Sequence, residues 1–198
     1  FLTSNVTGLG AVRVFEAVKE FNSNSKIYQA SSSEMFGNNN DLKNENSRMH
    51  PASPYGVAKV YAHKSAQFYR EGYDMFISNG ILFNHESPFR GLEFVTRKIT
   101  SSVANIVNKK QEKLFLGNIK AKRDWGFAGD YVKAMWLMLQ QDEPSDYVIS
   151  TGESHSVEEF LEESFTHAGL GDWKNFVEIS EKFMRPCDID DLVGDSSS

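Results

Sequence analysis

The chain is organised around one stretch, Ser53-Pro54-Tyr55-Gly56-Val57-Ala58-Lys59. Pro54 fixes its own φ and biases the preceding residue away from the helical region, so a helix is predicted to begin here and to run to about Tyr69. Tyr55 and Lys59 are four residues apart and therefore share one face of that helix. A lysine ammonium one turn away favours the phenolate, so the pair could move a proton at neutral pH. The same spacing is also commonplace on ordinary amphipathic helices.

Length and composition indicate a globular chain with a substantial core. Its 198 residues, 40% of them hydrophobic, fit one large domain or two small ones. The net charge of −6 argues against a general nucleic-acid or anionic-membrane surface. The single cysteine, Cys187, excludes an internal disulfide and suits a reducing cytosol. We expect no signal peptide, no membrane-spanning segment and, because the histidines lack ligand spacing, no metal site.

The predicted elements alternate as they do in an α/β fold. A helix over residues 6–20 precedes a short buried strand at 26–30, and a second strand at 75–83 follows the Tyr55 helix. Further on we predict a helix over 94–109, strands at 114–118 and 147–152, and a helix ending near 140. The capping box Ser156-Val157-Glu158-Glu159 opens the last helix. In such folds ligands collect at the carboxyl ends of the strands.

Polar clusters follow the predicted strands. Ser31-Ser32-Ser33-Glu34 follows the first strand, although serines there are usually a cap or a turn and a lone glutamate is usually solvated. Residues 84–91, which include His85 and Arg90, follow the second strand; a histidine there is either structural or a ligand contact. Arg123-Asp124 is either a surface ion pair or an arginine placed to fork onto a phosphate.

The order of these segments along the chain resembles that of the extended short-chain dehydrogenase/reductase family. Their residue sequences resemble those of its GDP-mannose 4,6-dehydratases. The resemblance covers nearly the whole chain and rests on residues 29–34, 53–59, 80–88, 94–99, 116–126 and 135–144. Asn84-His85-Glu86-Ser87-Pro88 and Arg97-Lys98-Ile99 are its most specific parts. It implies an α/β fold in which a Rossmann-type parallel sheet, represented by its C-terminal part, carries a smaller sugar-nucleotide-binding α/β domain.

The resemblance also implies a domain division. Residues 1–91 would be the later part of the NAD(P)-binding Rossmann domain, and residues 92–198 mainly the GDP-sugar domain, with a return to the Rossmann core around 121–152. No G-x-G-x-x-G motif lies between a strand and a helix. We therefore expect the chain to be a fragment that lacks the N-terminal glycine-rich part of that family.

The implied reaction converts GDP-mannose to GDP-4-keto-6-deoxymannose with NADP as cofactor. In the family pattern, Ser32 stands at a catalytic threonine, Glu34 at the general base, Tyr55 at the catalytic tyrosine and Lys59 at the residue that holds the nicotinamide ribose. The other residues that match family contacts are His85 and Arg90 for NADP, and Asn84, Lys98, Arg123, Arg185 and Asp188 for the substrate. Family members tend to form tetramers, so a homo-oligomer is expected here, and the cysteine content makes a cytoplasmic location the expectation.

Two alternatives remain open from the residues. One is another sugar-nucleotide dehydratase or an epimerase of the same superfamily, which Glu34 and the absence of an aspartate just before it disfavour. The other is a non-catalytic, truncated remnant, since NADP would lose much of its site without the glycine-rich loop.

Overall fold

Helices and strands alternate along the described part of the chain, which in this computed structural model comprises residues 1–38, 41–184 and 189–197. The helices are α1 (Gly10–Phe21), which continues a π-helical stretch at Ser4–Leu9, α2 (Pro54–Tyr73), α3 (Val95–Val107), α4 (Ala128–Met138) and α5 (Val157–His167). The strands are β1 (Ile27–Ser32), β2 (Ile77–Leu82), β3 (Asn84–Glu86), β4 (Leu114–Leu116), β5 (Lys122–Arg123), β6 (Trp125–Phe127), β7 (Asp146–Ile149), β8 (His155–Ser156) and β9 (Val177–Ile179). Short 3₁₀ turns cover Ser33–Met35, Trp173–Asn175 and Glu181–Phe183.

A parallel sheet of three strands, in the order β1-β2-β7, lies at the centre of the fold. The central strand β2 is buried along its whole length, as expected for a parallel strand covered on both faces. Ile27 lies opposite Ile77, and Asn79 opposite Asp146, so all three strands run the same way and end at one edge. This confirms the predicted α/β class and the parallel sheet.

The start of α2 follows the predicted chemistry. Ser53 has extended backbone, its hydroxyl accepts a hydrogen bond from the Gly56 amide at 3.0 Å, and Pro54 occupies the first helical turn, where its missing N–H costs nothing. The helix ends at Asp74, whose φ of 53° lies in the left-handed region. It therefore runs one turn further than predicted. The capping box that opens α5 is confirmed, with Ser156 and Glu159 each bonding the other's backbone amide.

Two groups of buried side chains support the sheet. Phe15 from α1 packs with α2 and the start of β2, and Ile81, Phe83 and Val148 form a second group with the turn that follows β1. Each buried side chain of this size contributes about 1.5–3 kcal/mol. The faces of α1 and α2 that point inward are therefore fixed against the sheet.

A separate hydrophobic core lies between α3 and α5. Ile99, Val103, Leu161 and Phe165 are buried there together with residues of β4 and β9, which pair in parallel. Besides the central sheet, the described residues form three short two-stranded sheets: β4 with β9, β3 with β6, and β5 with β8, the last antiparallel. Among the residues that the structure describes, no helix is both long enough and apolar enough to cross a bilayer.

Candidate active site

The candidate site lies where β1 and β2 end. Ser32 is the last residue of β1 and is nearly buried, and its hydroxyl accepts a hydrogen bond from the Glu34 amide at 3.3 Å. The interpretation of these serines as a cap is thus correct for Ser32, which caps the 3₁₀ turn Ser33–Met35. That turn places Glu34, half-buried, directly after the strand end.

The first turn of α2 packs against the same segment. A Cβ added at Gly56 would lie 2.7 Å from the backbone oxygen of Glu34, so the helix approaches that backbone more closely than a larger residue permits without movement. Tyr55 precedes Gly56, and its side chain interacts with the Ser32 hydroxyl. The residues of the β1 end and of the α2 start are therefore neighbours in space.

The environment of Tyr55 favours its protonated form. Burial raises the pKa of Tyr55 and the charge of Glu34 adds to this, whereas the hydrogen bond with Ser32 and the charge of Arg90 lower it by less. Tyr55 still exposes 42% of its surface, so the site is open on one side. Ser32, Glu34 and Arg90 are thus close enough to the phenol to influence its pKa.

Lys59 lies between the backbone of β1 and the Tyr55 ring. Its ammonium donates a hydrogen bond to the Ala30 carbonyl at 2.7 Å and lies 5.6 Å from the centre of the Tyr55 ring. Burial also lowers the pKa of Lys59. The effect of Lys59 on the Tyr55 phenolate stays a prediction, and the structure adds that the ammonium is hydrogen-bonded to the backbone of β1.

His85 lies on β3 and is held by two contacts. Its Nδ1 donates to the Phe83 carbonyl at 2.8 Å, and its ring stacks on Tyr131 with centroids 4.7 Å apart. The tautomer is assigned from that carbonyl contact, and Nε2 has no hydrogen-bond partner among the described residues. Tyr131, on α4, was not predicted as a contributor, and a tyrosine inside an apolar helical pattern carries no signal of such a role.

Arg90 is oriented by its own loop. Its Nε lies 3.2 Å from Glu86 Oε2, and its guanidinium lies 3.5 Å from the centre of the Phe94 ring. Thr96 donates to the same Glu86 oxygen at 2.6 Å. These contacts hold the guanidinium close enough to Tyr55 for its charge to act on the phenol.

The remaining substrate candidates lie further along the chain. Asn84, on β3, pairs with Trp125 of β6, two residues after Arg123. Arg123 donates to the Ile189 carbonyl at 2.7 Å, and Lys98 donates to the Phe115 carbonyl at 2.6 Å, with burial lowering the pKa of Lys98. Arg185 and Asp188 lie outside the described residues.

Asp124 is not part of a surface ion pair. It is fully buried, and its two carboxylate oxygens accept four hydrogen bonds, from the amide and hydroxyl of Thr151 and from the amides of Gly152 and Gly194. The surface ion-pair alternative is therefore wrong. Asp124 ties the strand that carries Arg123 to the loop after β7.

The structure thus groups Ser32, Glu34, Tyr55, Lys59 and Arg90 at one edge of the sheet and places Asn84 and His85 on the strand that continues it. Lys98 and Arg123 belong to the part of the chain around α3 and β5. This arrangement offers a phenol, a hydroxyl and a carboxylate to one ligand, with two cations nearby. It suits proton transfers on a bound polar molecule.

The described part of the chain has a Rossmann-like α/β fold, with a Tyr-x-x-x-Lys helix beside the end of β1. Two solved structures share the fold: a dTDP-glucose 4,6-dehydratase from Bacillus anthracis in complex with NAD (TM-score 0.85, 22% identity, 98% of this chain and 60% of that chain) and RMD from Pseudomonas aeruginosa complexed with NADPH (TM-score 0.87, 20% identity, 98% and 65%). At these identities the likeness concerns the fold alone.

The family is shown by sequence. The family model described as GDP-mannose 4,6 dehydratase matches residues 1–198. GDP-mannose 4,6 dehydratase 2 of Arabidopsis thaliana is 54% identical over 98% of the chain and 53% of its own length, and the Homo sapiens GDP-mannose 4,6 dehydratase is 48% identical over 98% and 57%. The chain belongs to the GDP-mannose 4,6-dehydratase family. It spans about half the length of the curated relatives it matches.

Proposed function

We propose that the chain carries catalytic residues of a GDP-mannose 4,6-dehydratase, which converts GDP-mannose to GDP-4-keto-6-deoxymannose and water. Membership of the family supports the substrate, since the matched relatives carry that name. The observation that carries the proposal is the convergence of Ser32, Glu34 and Tyr55 at one edge of the sheet. Sugar nucleotides bind at such an edge in α/β folds.

Tyr55 and Ser32 would act on the 4-hydroxyl of the sugar. Tyr55 takes the hydroxyl proton as C4 is oxidised, and Ser32 donates a hydrogen bond to the same oxygen. Because burial raises the pKa of Tyr55, the phenol needs help to lose its proton. Lys59 supplies that help only if its ammonium turns from the Ala30 carbonyl toward the ligand, where it would also hold a ribose hydroxyl.

Glu34 would take the proton from C5. Oxidation at C4 makes this proton acidic because the carbanion is conjugated with the new ketone. The C6 hydroxyl then leaves as water with one proton, and a second proton returns to C5 when the hydride adds at C6, so the two protons taken by Tyr55 and Glu34 balance the step. Glu34 is half-buried, and its charge contributes to the raised pKa of Tyr55, which supports a position of the carboxylate near the phenol. A positioned proton transfer of this kind is worth roughly 10²–10⁴-fold in rate.

The residues fit a nicotinamide cofactor, which we infer to be NADP. The chemistry that a nicotinamide supplies when bound is reversible hydride transfer, here from C4 and back to C6, so the net redox change is zero. His85 presents a free Nε2 and Arg90 a guanidinium at the same edge, and these two side chains with Lys59 would contact the cofactor. The NADPH and NAD ligands named for the two structural neighbours support the cofactor class.

The GDP part of the substrate would lie toward the second core. Lys98 and Arg123 supply two cations there, Asn84 supplies an amide from β3, and Arg185 and Asp188 complete the set proposed from the family pattern. We assign residues 1–91 and the return at 121–152 to the cofactor domain and the rest of 92–198 to the substrate domain. A tetrameric assembly and a cytoplasmic location stay predictions of the sequence.

The test is to incubate the protein with GDP-mannose and NADP and to look for the 4-keto-6-deoxy product by mass spectrometry. Two forms are compared: the 198-residue chain and a version extended at its N-terminus with the matching segment of a full-length relative. We expect product from the extended form. Product from neither form would refute the proposal in favour of a non-catalytic remnant, and a C4-epimerised sugar would favour an epimerase.

The role of Glu34 is tested with Glu34→Gln in the extended form. The variant keeps the shape of the side chain but removes its basicity, so turnover should fall at least 10²-fold while binding of NADPH, followed by the fluorescence of its reduced nicotinamide, stays unchanged. Glu71→Gln, at an exposed position on α2, is the matched control and should retain full turnover. Equal turnover of the two variants would exclude Glu34 as the base.

A further inference from the structure

A group of polar side chains is buried between α2 and the sheet, beneath the candidate site. Asp146, at the start of β7, accepts hydrogen bonds from Arg70 at 3.0 Å, Asn79 at 2.8 Å and Gln67 at 2.5 Å. His63, fully buried on α2, has its Nε2 3.3 Å from Asp146 Oδ2, in close contact with the carboxylate although not aligned as a hydrogen bond. None of these side chains takes part in the proposed reaction.

The other side of the His63 ring reaches β1. His63 Nδ1 lies 2.9 Å from the hydroxyl of Ser31, which is itself buried. Because the carboxylate can only accept, we assign the proton of the neutral ring to Nε2, so that Nδ1 accepts from the Ser31 hydroxyl. His63 therefore bridges β1 and the carboxylate at the start of β7.

The positions of the two bonded residues matter for the site. Ser31 directly precedes Ser32 and lies three residues before Glu34, and His63 lies one helical turn after Lys59. The Ser31–His63 hydrogen bond therefore joins the two segments that carry the candidate residues. A second hydrogen bond joins the Lys59 ammonium to the Ala30 carbonyl. Lys59 lies one helical turn before His63 on α2, and Ala30 lies one residue before Ser31 on β1. Two hydrogen bonds on adjacent residues thus hold the strand end against the helix.

The cost of burial argues that the group serves more than packing. Polar side chains taken out of water cost free energy that their partners only offset, and apolar residues of similar volume often stabilise a core equally well. We propose that His63 is a positioning residue, which through Ser31 fixes the end of β1 against α2 and so holds Ser32 and Glu34 opposite Tyr55. The catalytic meaning of this position rests on the proposed function; the geometric claim does not.

The geometric claim is tested on the 198-residue chain by NMR. His63→Leu removes both ring nitrogens with little change of volume and leaves Asp146 paired with Arg70 and Asn79. The phenol of Tyr55, assigned with Tyr55→Phe and followed through ¹³Cζ labelling, should then titrate about half a pH unit or more closer to an ordinary tyrosine, because it becomes better hydrated. The amide resonances of residues 32–34 should move as well.

Two variants separate positioning from stability. His63→Asn places an amide near the former Nδ1 and should restore the Tyr55 titration at least in part, whereas a purely structural role predicts the same urea-unfolding loss without any change in that titration. His167→Leu, at the exposed end of α5, is the matched control and should leave Tyr55 unchanged. If His63→Leu does not fold, Ser31→Ala breaks the same bond from the other side and must shift Tyr55 in the same direction.

In the extended form, His63→Leu should lower kcat about 10-fold or more with little change in KM for GDP-mannose, because misplacement of catalytic groups acts mainly on the chemical step. An unchanged Tyr55 titration together with unchanged amides of 32–34 would overturn the proposal. The NMR readouts need no turnover, so failure of the proposed function and failure of this inference are distinguishable.

Discussion

Replacing Asp124 by asparagine should destabilise the chain strongly although the two side chains have the same shape. One carboxylate oxygen accepts from the Thr151 amide at 2.8 Å and its hydroxyl at 2.7 Å, and the other accepts from the amides of Gly152 at 3.0 Å and Gly194 at 3.3 Å. An asparagine keeps the first oxygen but puts an NH₂ group against the two glycine amides. Two charge-assisted bonds are then lost with their donors still buried, at a cost of about 3–4 kcal/mol.

This loss is a large part of the stability of an ordinary domain, which is about 5–15 kcal/mol. Urea unfolding followed by circular dichroism is the assay, and the midpoint should fall by about 1–2 M. Asp142→Asn makes the same chemical change at an exposed position and should stay within about 0.5 kcal/mol of the parent. If Asp124→Asn unfolds within 0.5 kcal/mol of the control, roughly the experimental error, the reasoning on buried acceptors is wrong. The variant should also weaken GDP binding through Arg123, whose strand Asp124 anchors.

Three further predictions concern pH, capping and an unpaired hydroxyl. Burial raises the pKa of Asp146, but His63, Asn79 and Arg70 outweigh this effect, so the net pKa is lowered. The contribution of Asp146 to the free energy of unfolding is therefore complete above about pH 4 and is lost as the pH falls. Urea midpoints of Asp146→Asn should decline less steeply between pH 5 and 3 than those of the parent, and parallel curves would contradict this. Ser53→Ala removes the cap of α2 and should cost about 1 kcal/mol and speed hydrogen exchange of the Gly56 amide; unchanged exchange would argue against the cap. Tyr131→Phe should raise stability by up to about 1 kcal/mol, because burial raises the pKa of Tyr131 and its hydroxyl has no hydrogen-bond partner in the described part of the chain; a loss of more than that would point to a partner for the hydroxyl.

The elements of the central sheet could be predicted because their signals are local. An apolar run of five or six residues followed by serines, and a proline after a capping serine, each specify structure within a few residues. The strands β1 and β2 and the helix α2 were found in this way, with ends shifted by one to four residues. The capping box at Ser156 was equally local and is confirmed.

The short pairings could not be predicted, because they depend on contacts between distant parts of the chain. β3 and β6 have three residues each, and nothing in Asn84–Glu86 indicates that Trp125–Phe127 lies beside it. The burial of a charged side chain could not be predicted for the same reason. The sequence shows Asp124 beside Arg123, but only the fold shows that the carboxylate is buried under the loop after β7.

The Tyr55–Lys59 pair shows both what could be predicted from local spacing and what depends on the fold. The spacing of Tyr55 and Lys59 correctly places them on one helical face, yet spacing alone does not show that the ammonium is directed at the Ala30 carbonyl. The pKa of Tyr55 depends on burial and on Ser32, Glu34 and Arg90, which come from three different segments. A pKa shift that depends on groups from distant segments follows from the fold and cannot be predicted from the periodicity of the sequence.

The position of β1 at the edge of the central sheet has a practical consequence for work with the isolated chain. In the described residues, β1 pairs with β2 on one side and with no strand on the other. An open strand side is a template on which another chain can add. Self-association should therefore grow with protein concentration, and a synthetic peptide of complementary extended sequence should suppress it. Because Ser32 is the last residue of this strand, self-association would also affect the candidate site. Each ligand titration should therefore be repeated at several protein concentrations.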